Sequence, residues 1–155
     1  MNNLPYRAGV GIVLINDAGL IFVGQRLDSS QEAWQMPQGG IDPGEAPLDT
    51  AFRELAEETG VTKAALLAES HDWLSYDLPP ELVASIWKGR YRGQRQKWFA
   101  MRFTGTDADV DIATAHAEFR SWRWAPHHEL SAMIVPFKRE LYEAVLSEFA
   151  EYLAP

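Results

Sequence analysis

Along this chain the apolar positions follow two periods, and the switches between them mark out strands and helices. Gly9 to Ile15 is an unbroken apolar, β-branched run that predicts a buried strand. Asn16-Asp17-Ala18-Gly19 carries turn chemistry, and Leu20 to Gln25 is expected to pair back as the second strand of a hairpin. Gly39, Gly40, Pro43 and Gly44 predict a tight loop ahead of a helix. From about Ala46 to Thr59 the pattern is helical, with Leu48, Phe52, Leu55 and Thr59 on one side and Gly60 placed to stop it. Leu66 to Tyr76 reads as extended, followed by a turn at Pro79-Pro80 and a short helix to about Ile86. Gln96 to Phe103 and Phe119 to Trp124 read as strands. Phe137, Leu141, Val145, Phe149 and Leu153 form one apolar face of a last helix over about Pro136 to Leu153. Strands interleaved with two substantial helices predict an α/β fold with helices packed on a sheet.

Composition narrows the class. With 155 residues, 46% of them hydrophobic and 23% charged, the chain is expected to form one soluble domain over residues 1–155. No stretch is long and apolar enough to predict a membrane span, and Met1 to Arg7 lacks the pattern of a secretory leader. The absence of cysteine excludes thiolate chemistry and suits a reducing cytoplasm, the expected location.

A net charge of −8 argues against DNA or another long polyanion as the main partner. Its distribution changes the picture. Lys88, Arg90, Arg92, Arg95, Lys97 and Arg102 lie together, with no acid between Glu81 and Asp107. Such a run is either a solvated face or a local site for phosphates. Acids concentrate instead between Glu45 and Glu58.

On the predicted Ala46–Thr59 helix, Glu54, Glu57 and Glu58 are neighbours in its last turn. They repel one another there, and the helix dipole disfavours them. Solvation alone does not account for that placement or for the glycine-rich loop before it. A hard cation does: Mg²⁺ takes oxygen ligands and is bound by a few carboxylates together with substrate phosphates. Arg53, beside Glu54 and four residues before Glu57, is suited to hold a glutamate in position.

Gly39, Glu45 and the run Arg53-Glu54-Leu55-Ala56-Glu57-Glu58-Thr59-Gly60-Val61 match without departure the Nudix box, G-x5-E-x7-R-E-U-x-E-E-x-G-U, where U is apolar. The chain therefore resembles the Nudix hydrolases. The resemblance implies a Nudix fold, an α/β/α sandwich with a mixed β-sheet, and hydrolysis of a phosphoanhydride bond. It implies that Glu54, Glu57 and Glu58 bind Mg²⁺, or Mn²⁺ in its place, in more than one ion. A carbonyl of Gly39 would be a further ligand, and Glu45 would brace the loop through Arg53. Bound metal lowers the pKa of water and neutralises phosphate oxygens. The general base is open between Glu57 and an acid outside the box, of which Glu118 is favoured, and Glu118 is also a candidate metal ligand.

Outside the box the chain resembles one subgroup from about Tyr6 to Phe149, the bacterial RNA pyrophosphohydrolases and the related diadenosine tetraphosphate hydrolases. The similarity rests on Trp34-Gln35-Met36-Pro37-Gln38-Gly39-Gly40, Trp73 to Pro79, Gly93-Gln94-Arg95-Gln96-Lys97-Trp98-Phe99, Glu118-Phe119 with Trp122-Arg123-Trp124, and Phe137-Lys138-Arg139. Arg7, Arg26, Lys97, Lys138 and Arg139 are candidate phosphate contacts. By resemblance, Arg7 and Lys138 would touch 5′-terminal phosphates, and Tyr76 and Phe137 would offer faces to a base. Core packing is the competing account of both aromatics. Trp34, Trp98, Trp122 and Trp124 read as core or sheet-face residues, and His71, His116, His127 and His128 receive no role.

Two substrates follow, triphosphorylated RNA 5′ ends and dinucleoside polyphosphates, and one protein can act on both. Two alternatives stand beside them: a non-catalytic Nudix nucleotide-binding or sensor module, and a Nudix enzyme for another nucleoside diphosphate-linked substrate. The intact box counts against the first and the matches outside it against the second.

Overall fold

β1 (Tyr6–Ile15) is the central strand of the computed structural model, which describes residues 3–27 and 32–155. Met1 and Asn2, which open the stretch read above for a leader, lie outside the described residues. Val10, Ile12 and Leu14 enter one apolar cluster and Val13 and Ile15 another, on the opposite face of the sheet. A strand covered on both faces needs no polar alternation, which is why its sequence is a continuous apolar run.

β1 pairs along its whole length with β7 (Gly93–Phe103), in parallel, from Tyr6↔Gly93 to Ile15↔Arg102. This pairing draws both strands out beyond their predicted starts at Gly9 and Gln96. The other edge of β1 is shared. β2 (Ile21–Arg26) meets it at Ile15↔Ile21, and β4 (Gln38–Gly40) pairs over Gly9 to Gly11. The expected hairpin therefore exists only at its turn. β2 diverges to pair with β8 (Phe119–Ala125) and with β3 (Trp34–Gln35). β7 likewise divides its outer edge between β5 (Ala64–Glu69) and β6 (Leu74–Asp77). Together these described strands make one mixed sheet of eight.

The pattern from Leu66 to Tyr76 predicts one extended segment, where the structure has two strands, β5 and β6. They separate at buried Ser70, whose N–H donates to the Trp98 carbonyl at 2.8 Å and whose hydroxyl accepts from the Trp98 N–H at 3.0 Å. The Gly39-Gly40 loop is also corrected, since both glycines lie in β4.

α1 (Pro47–Thr59) packs on one face of the sheet through Thr50, Ala51, Leu55 and Thr59, with Leu48 and Phe52 only half-buried. Pro47 opens it, where a missing N–H costs nothing. Gly60 closes it in the left-handed region (φ 72°), donating its N–H to the Ala56 carbonyl at 2.9 Å. On the opposite face lie α3 (Leu130–Met133) and α4 (Arg139–Glu148), which bury Leu130, Leu141, Tyr142 and Val145. The predicted last helix is divided: Pro136–Lys138 is a 3₁₀ turn, α4 follows, and Ala150–Tyr152 is a second 3₁₀ turn. The short helix after Pro79 is α2 (Pro80–Val83) and stops before Ile86. Helices on both faces of a mixed sheet give the expected α/β/α arrangement. Among the described residues no helix is long and apolar enough to cross a membrane.

Candidate active site

Where β1 leaves β2 for β4, the chain from Gly39 into α1 is fastened by one guanidinium. Arg53 donates from Nε to Glu45 Oε2 at 2.8 Å and from Nη2 to Glu45 Oε1 at 2.9 Å. Nη2 also reaches the Gly40 carbonyl at 3.1 Å, while Nη1 donates to Glu54 Oε1 at 3.0 Å and Glu57 Oε2 at 3.1 Å. Glu45 in turn accepts from the Thr50 hydroxyl at 2.7 Å and the Asp42 N–H at 3.1 Å. These bonds, led by those from Arg53, hold the Glu45 carboxyl at a pKa of about 2. The contact between Arg53 and Glu45 that the resemblance implies is thus present.

Glu58 is different. It lies on the buried side of the helix at 2% exposure, not on a solvated acidic face. Its Oε2 has no hydrogen-bond partner among the described residues. Burial, then the charges of Glu54 and Glu118, push its pKa well above the ordinary carboxylate value. Burial also raises that of Glu54. Gly39 leaves space here: a Cβ on it would stand 2.0 Å from the Glu54 carboxyl carbon and would displace that carboxylate. Glu118, exposed at the entry to β8, completes the group, and its carbonyl accepts from the Leu27 N–H at 2.8 Å.

Glu54, Glu58, Glu118 and Gly39 line a cavity of about 200 Å³ together with Arg7 and Arg26. Beside it is a larger cavity of about 690 Å³, the two sharing Arg26, Gln35, Gln38 and Trp87 in their walls. The larger one is walled by Tyr76 and Phe137, whose ring centroids are 5.8 Å apart. Tyr76 is also core, 6% exposed, and burial lifts its hydroxyl to about 12. Packing and site-lining therefore coexist in one residue. Lys138 is buried, with Nζ 5.0 Å from the centre of the Tyr76 ring and 3.4 Å from Gln38 Oε1. Burial, aided by nearby Arg26, lowers its pKa to about 7.

Several candidates lie elsewhere. Lys97 lines neither cavity; Nζ donates to the His71 carbonyl at 3.2 Å and lies 3.6 Å from Glu69. Arg139 donates to the Ser131 carbonyl at 2.9 Å. The basic run does not become a phosphate-lined wall either. Arg92 is paired with Asp77 at 2.6 Å, Arg95 lies over the Trp73 ring, and Arg102 donates to the Asn16 carbonyl. Only Arg95, Lys97 and Arg102 lie on β7, and Arg102 points to the face opposite the other two, so the run does not gather on one surface. Glu57 does not line the smaller cavity, because its carboxylate is turned toward Arg53. As the side chains stand, no set of three His, Asp or Glu among the described residues is arranged to hold an ion.

Sequence reasoning gave no role to Gln38, Gln94, Gln96 or Trp87. The three glutamines fall within quoted motifs, but their meeting depends on β1 and β7 lying side by side. Trp87 is marked only by its backbone. It and Lys88 take left-handed φ values of 50° and 59°, a costly conformation for residues with a side chain. The turn sets the Trp87 ring against Arg7, whose guanidinium carbon is 5.3 Å from the ring centre.

Comparison with known proteins identifies the family and the fold. The NUDIX domain model matches residues 5–145. The RNA pyrophosphohydrolase of Rhodospirillum rubrum is 60% identical over 152 residues, covering 98% of this chain and 92% of its own. That of Cereibacter sphaeroides (strain KD131) is 59% identical over 153 residues, covering 97% and 94%. Among solved structures, a binary complex of the C. elegans Ap4A hydrolase superposes with a TM-score of 0.68 at 20% identity, over 94% of this chain and 98% of that one. At that identity the likeness concerns the fold.

Proposed function

The chain belongs to the NUDIX family and is a Nudix pyrophosphohydrolase, and from that premise we propose that it cuts the phosphoanhydride chain of triphosphorylated RNA 5′ ends and of dinucleoside polyphosphates. One observation carries the substrate class: a small carboxylate-lined cavity with two arginines shares Arg26, Gln35, Gln38 and Trp87 with a larger aromatic one. The first suits a polyphosphate and the second a nucleoside. RNA pyrophosphohydrolase is the name borne by the relatives near 60% identity, and Ap4A hydrolase that of a structural neighbour. The cysteine-free sequence fits work in the cytoplasm.

Enzymes of this family need divalent metal, and we take the ion to be Mg²⁺, with Mn²⁺ as a substitute and more than one ion per site. The residues fit such a group. Glu58 keeps a buried carboxylate oxygen without a partner, beside Glu54 and Glu118, an arrangement that is unfavourable until positive charge arrives. Glu54, Glu58 and Glu118 would hold the metal with the Gly39 carbonyl, and Glu57 would join by turning from Arg53. When bound, the ion supplies charge neutralisation at the phosphate oxygens and a more acidic water. Arg53 keeps the glutamates oriented, Arg7, Arg26 and Lys138 hold the phosphates, and Tyr76 and Phe137 carry the base. We take Glu118, the acid outside the box that lines the smaller cavity, as the group that accepts the proton from the attacking water. Water adds to phosphorus as the bridging P–O bond breaks. Diadenosine tetraphosphate then gives ATP and AMP, and a triphosphorylated RNA end gives pyrophosphate and a monophosphate.

The test is kcat/KM for triphosphorylated RNA oligomers and for diadenosine tetraphosphate under the same conditions, with products identified. Turnover of either supports the reading. Turnover of neither, with activity on a nucleotide sugar or coenzyme, refutes it.

A further inference from the structure

We infer that Gln94 is a phosphate-binding residue, its amide aimed by a chain of hydrogen bonds that begins at the Trp98 indole. The Trp98 side chain is fully buried, and its Nε1–H can only donate; it does so to Gln96 Oε1 at 3.1 Å. With its oxygen committed there, Gln96 must turn its amide nitrogen the other way. That Nε2 donates to Gln38 Oε1 at 3.1 Å and to Gln94 Oε1. Gln94, accepting with its oxygen, has only N–H groups left to present. Its Nε2 is buried and has no partner among the described residues, with the residue only 1% exposed.

An indole thus determines the direction of all the amides, removing the usual ambiguity between amide oxygen and nitrogen. Gln94 lines the smaller cavity, facing the space also lined by Arg7, Arg26 and Glu58. An amide N–H does not ligate a cation, so what satisfies it is an acceptor, and in a cavity with two arginines that acceptor is a phosphoryl oxygen. Position supports this. Gln94 is the register partner of Arg7 across β1 and β7, and both line the cavity. Gly9 lets the Gly39 carbonyl come close beside it: a Cβ there would stand 2.8 Å from that oxygen, while meeting Gln94 Nε2 only in ordinary contact at 3.4 Å. Arg7 then supplies charge and Gln94 direction, as a neutral donor in fixed orientation.

The inference rests on the polyphosphate reading above, and the experiment separates the two. Gln94→Leu, Gln94→Glu and Trp98→Phe are compared with the wild type in steady-state hydrolysis of diadenosine tetraphosphate. They are also compared by calorimetric titration with a methylene-bridged, non-hydrolysable nucleoside triphosphate. The expected result for Gln94→Leu is KM and Kd raised about 10- to 100-fold, the effect of losing one hydrogen bond to a charged group, with kcat little changed. Gln94→Glu, similar in shape but an acceptor, should bind more weakly still. Trp98→Phe should fall between, because Gln96 is then free to turn over. Wild-type affinity in Gln94→Glu, which does not depend on how Gln94→Leu packs, would overturn the inference and leave the polyphosphate reading standing. Loss of kcat with KM and Kd intact would also overturn it, assigning the amide to the carboxylates instead. A wild type that neither binds the analogue nor cuts the substrate removes both readings.

Discussion

Arg53 and Glu45 are joined as two forks, Nε to Oε2 at 2.8 Å and Nη2 to Oε1 at 2.9 Å, across the loop that carries Gly39 into α1. Paired this way, Arg53 keeps Nη1 for Glu54 and Glu57, so Glu45 governs the glutamates without lining the smaller cavity itself. Glu45→Gln should lower kcat/KM by about 10- to 100-fold, the usual cost of removing a partner that orients metal ligands. The same variant tests a pH effect. A carboxylate whose folded pKa of about 2 lies below its ordinary value of 4.5 contributes stability above about pH 4.5, lost as pH falls toward 2. Chemical denaturation over that window should show a shallower acid slope in Glu45→Gln than in the wild type; equal slopes would contradict the assignment.

Glu58 opposes stability and function to each other. Its buried, partnerless Oε2 is costly in the metal-free protein, and Glu54 and Glu118 add to that cost. In chelator at pH 8, Glu58→Gln should melt above the wild type. Added Mg²⁺ should then raise the wild-type Tm by mass action and leave the variant almost unmoved. Activity should vanish with chelator, return with Mg²⁺ or Mn²⁺ in the wild type, and stay orders of magnitude lower in the variant. Metal-independent hydrolysis would remove the carboxylates from the mechanism.

These two residues were legible because their relations are local. Glu45, Arg53, Glu54, Glu57, Glu58 and Gly60 are set by one loop and one helix, whose periodicity can be read directly from spacing. Even so, the helix spacing shows Glu58 only as a neighbour of Glu54 and Glu57 in the last turn, and does not reveal that packing of α1 on β4 buries it. Gly39 and Gly40 read as a turn because glycine commonly marks one. Their actual requirement is room for Glu54 and Arg7, and neither has a positive φ. The Gln38, Gln94 and Gln96 network and the place of Trp87 depend on the parallel register of β1 on β7, strands far apart in the chain. No local period encodes that pairing. Lys97 was misassigned for the same reason: its strand neighbour Gln96 faces the network, so Lys97 faces away.

Lys138 gives a second pH signature, of opposite direction. Burial lowers its folded pKa to about 7 from an ordinary 10.5, so the unfolded chain binds more protons than the folded one between those values. This contribution to stability therefore rises with pH from about 7 to about 10.5 and is weakest below pH 7. Lys138→Met should be stabilised relative to the wild type at pH 6, and the difference should shrink or reverse by pH 9. Urea denaturation at both pH values measures it. The variant should also bind polyphosphate about 10- to 100-fold more weakly, since a cation beside Tyr76 and Gln38 is lost from the cavity wall.

Arg7 separates phosphate binding from mere positive charge nearby. Its guanidinium lies between the Trp87 ring, 5.3 Å from its centre, and the backbone of Gly40, where a Cβ would stand 2.1 Å from Nη2. Arg7→Ala should raise KM for diadenosine tetraphosphate about 10- to 100-fold with a smaller effect on kcat. Gly40→Ala leaves the arginine in place chemically but displaces its head, and should reproduce much of that KM effect. Lys97→Ala removes a charge on the neighbouring strand, three residues further along the shared register and on the face turned toward Glu69 and His71, so its kinetics should match the wild type. If Lys97→Ala weakened binding as much as Arg7→Ala, the contribution of Arg7 would be long-range charge, and binding by all variants should then fall steeply with salt. If contact is what matters, the Arg7 and Gly40 variants keep their deficit at high ionic strength.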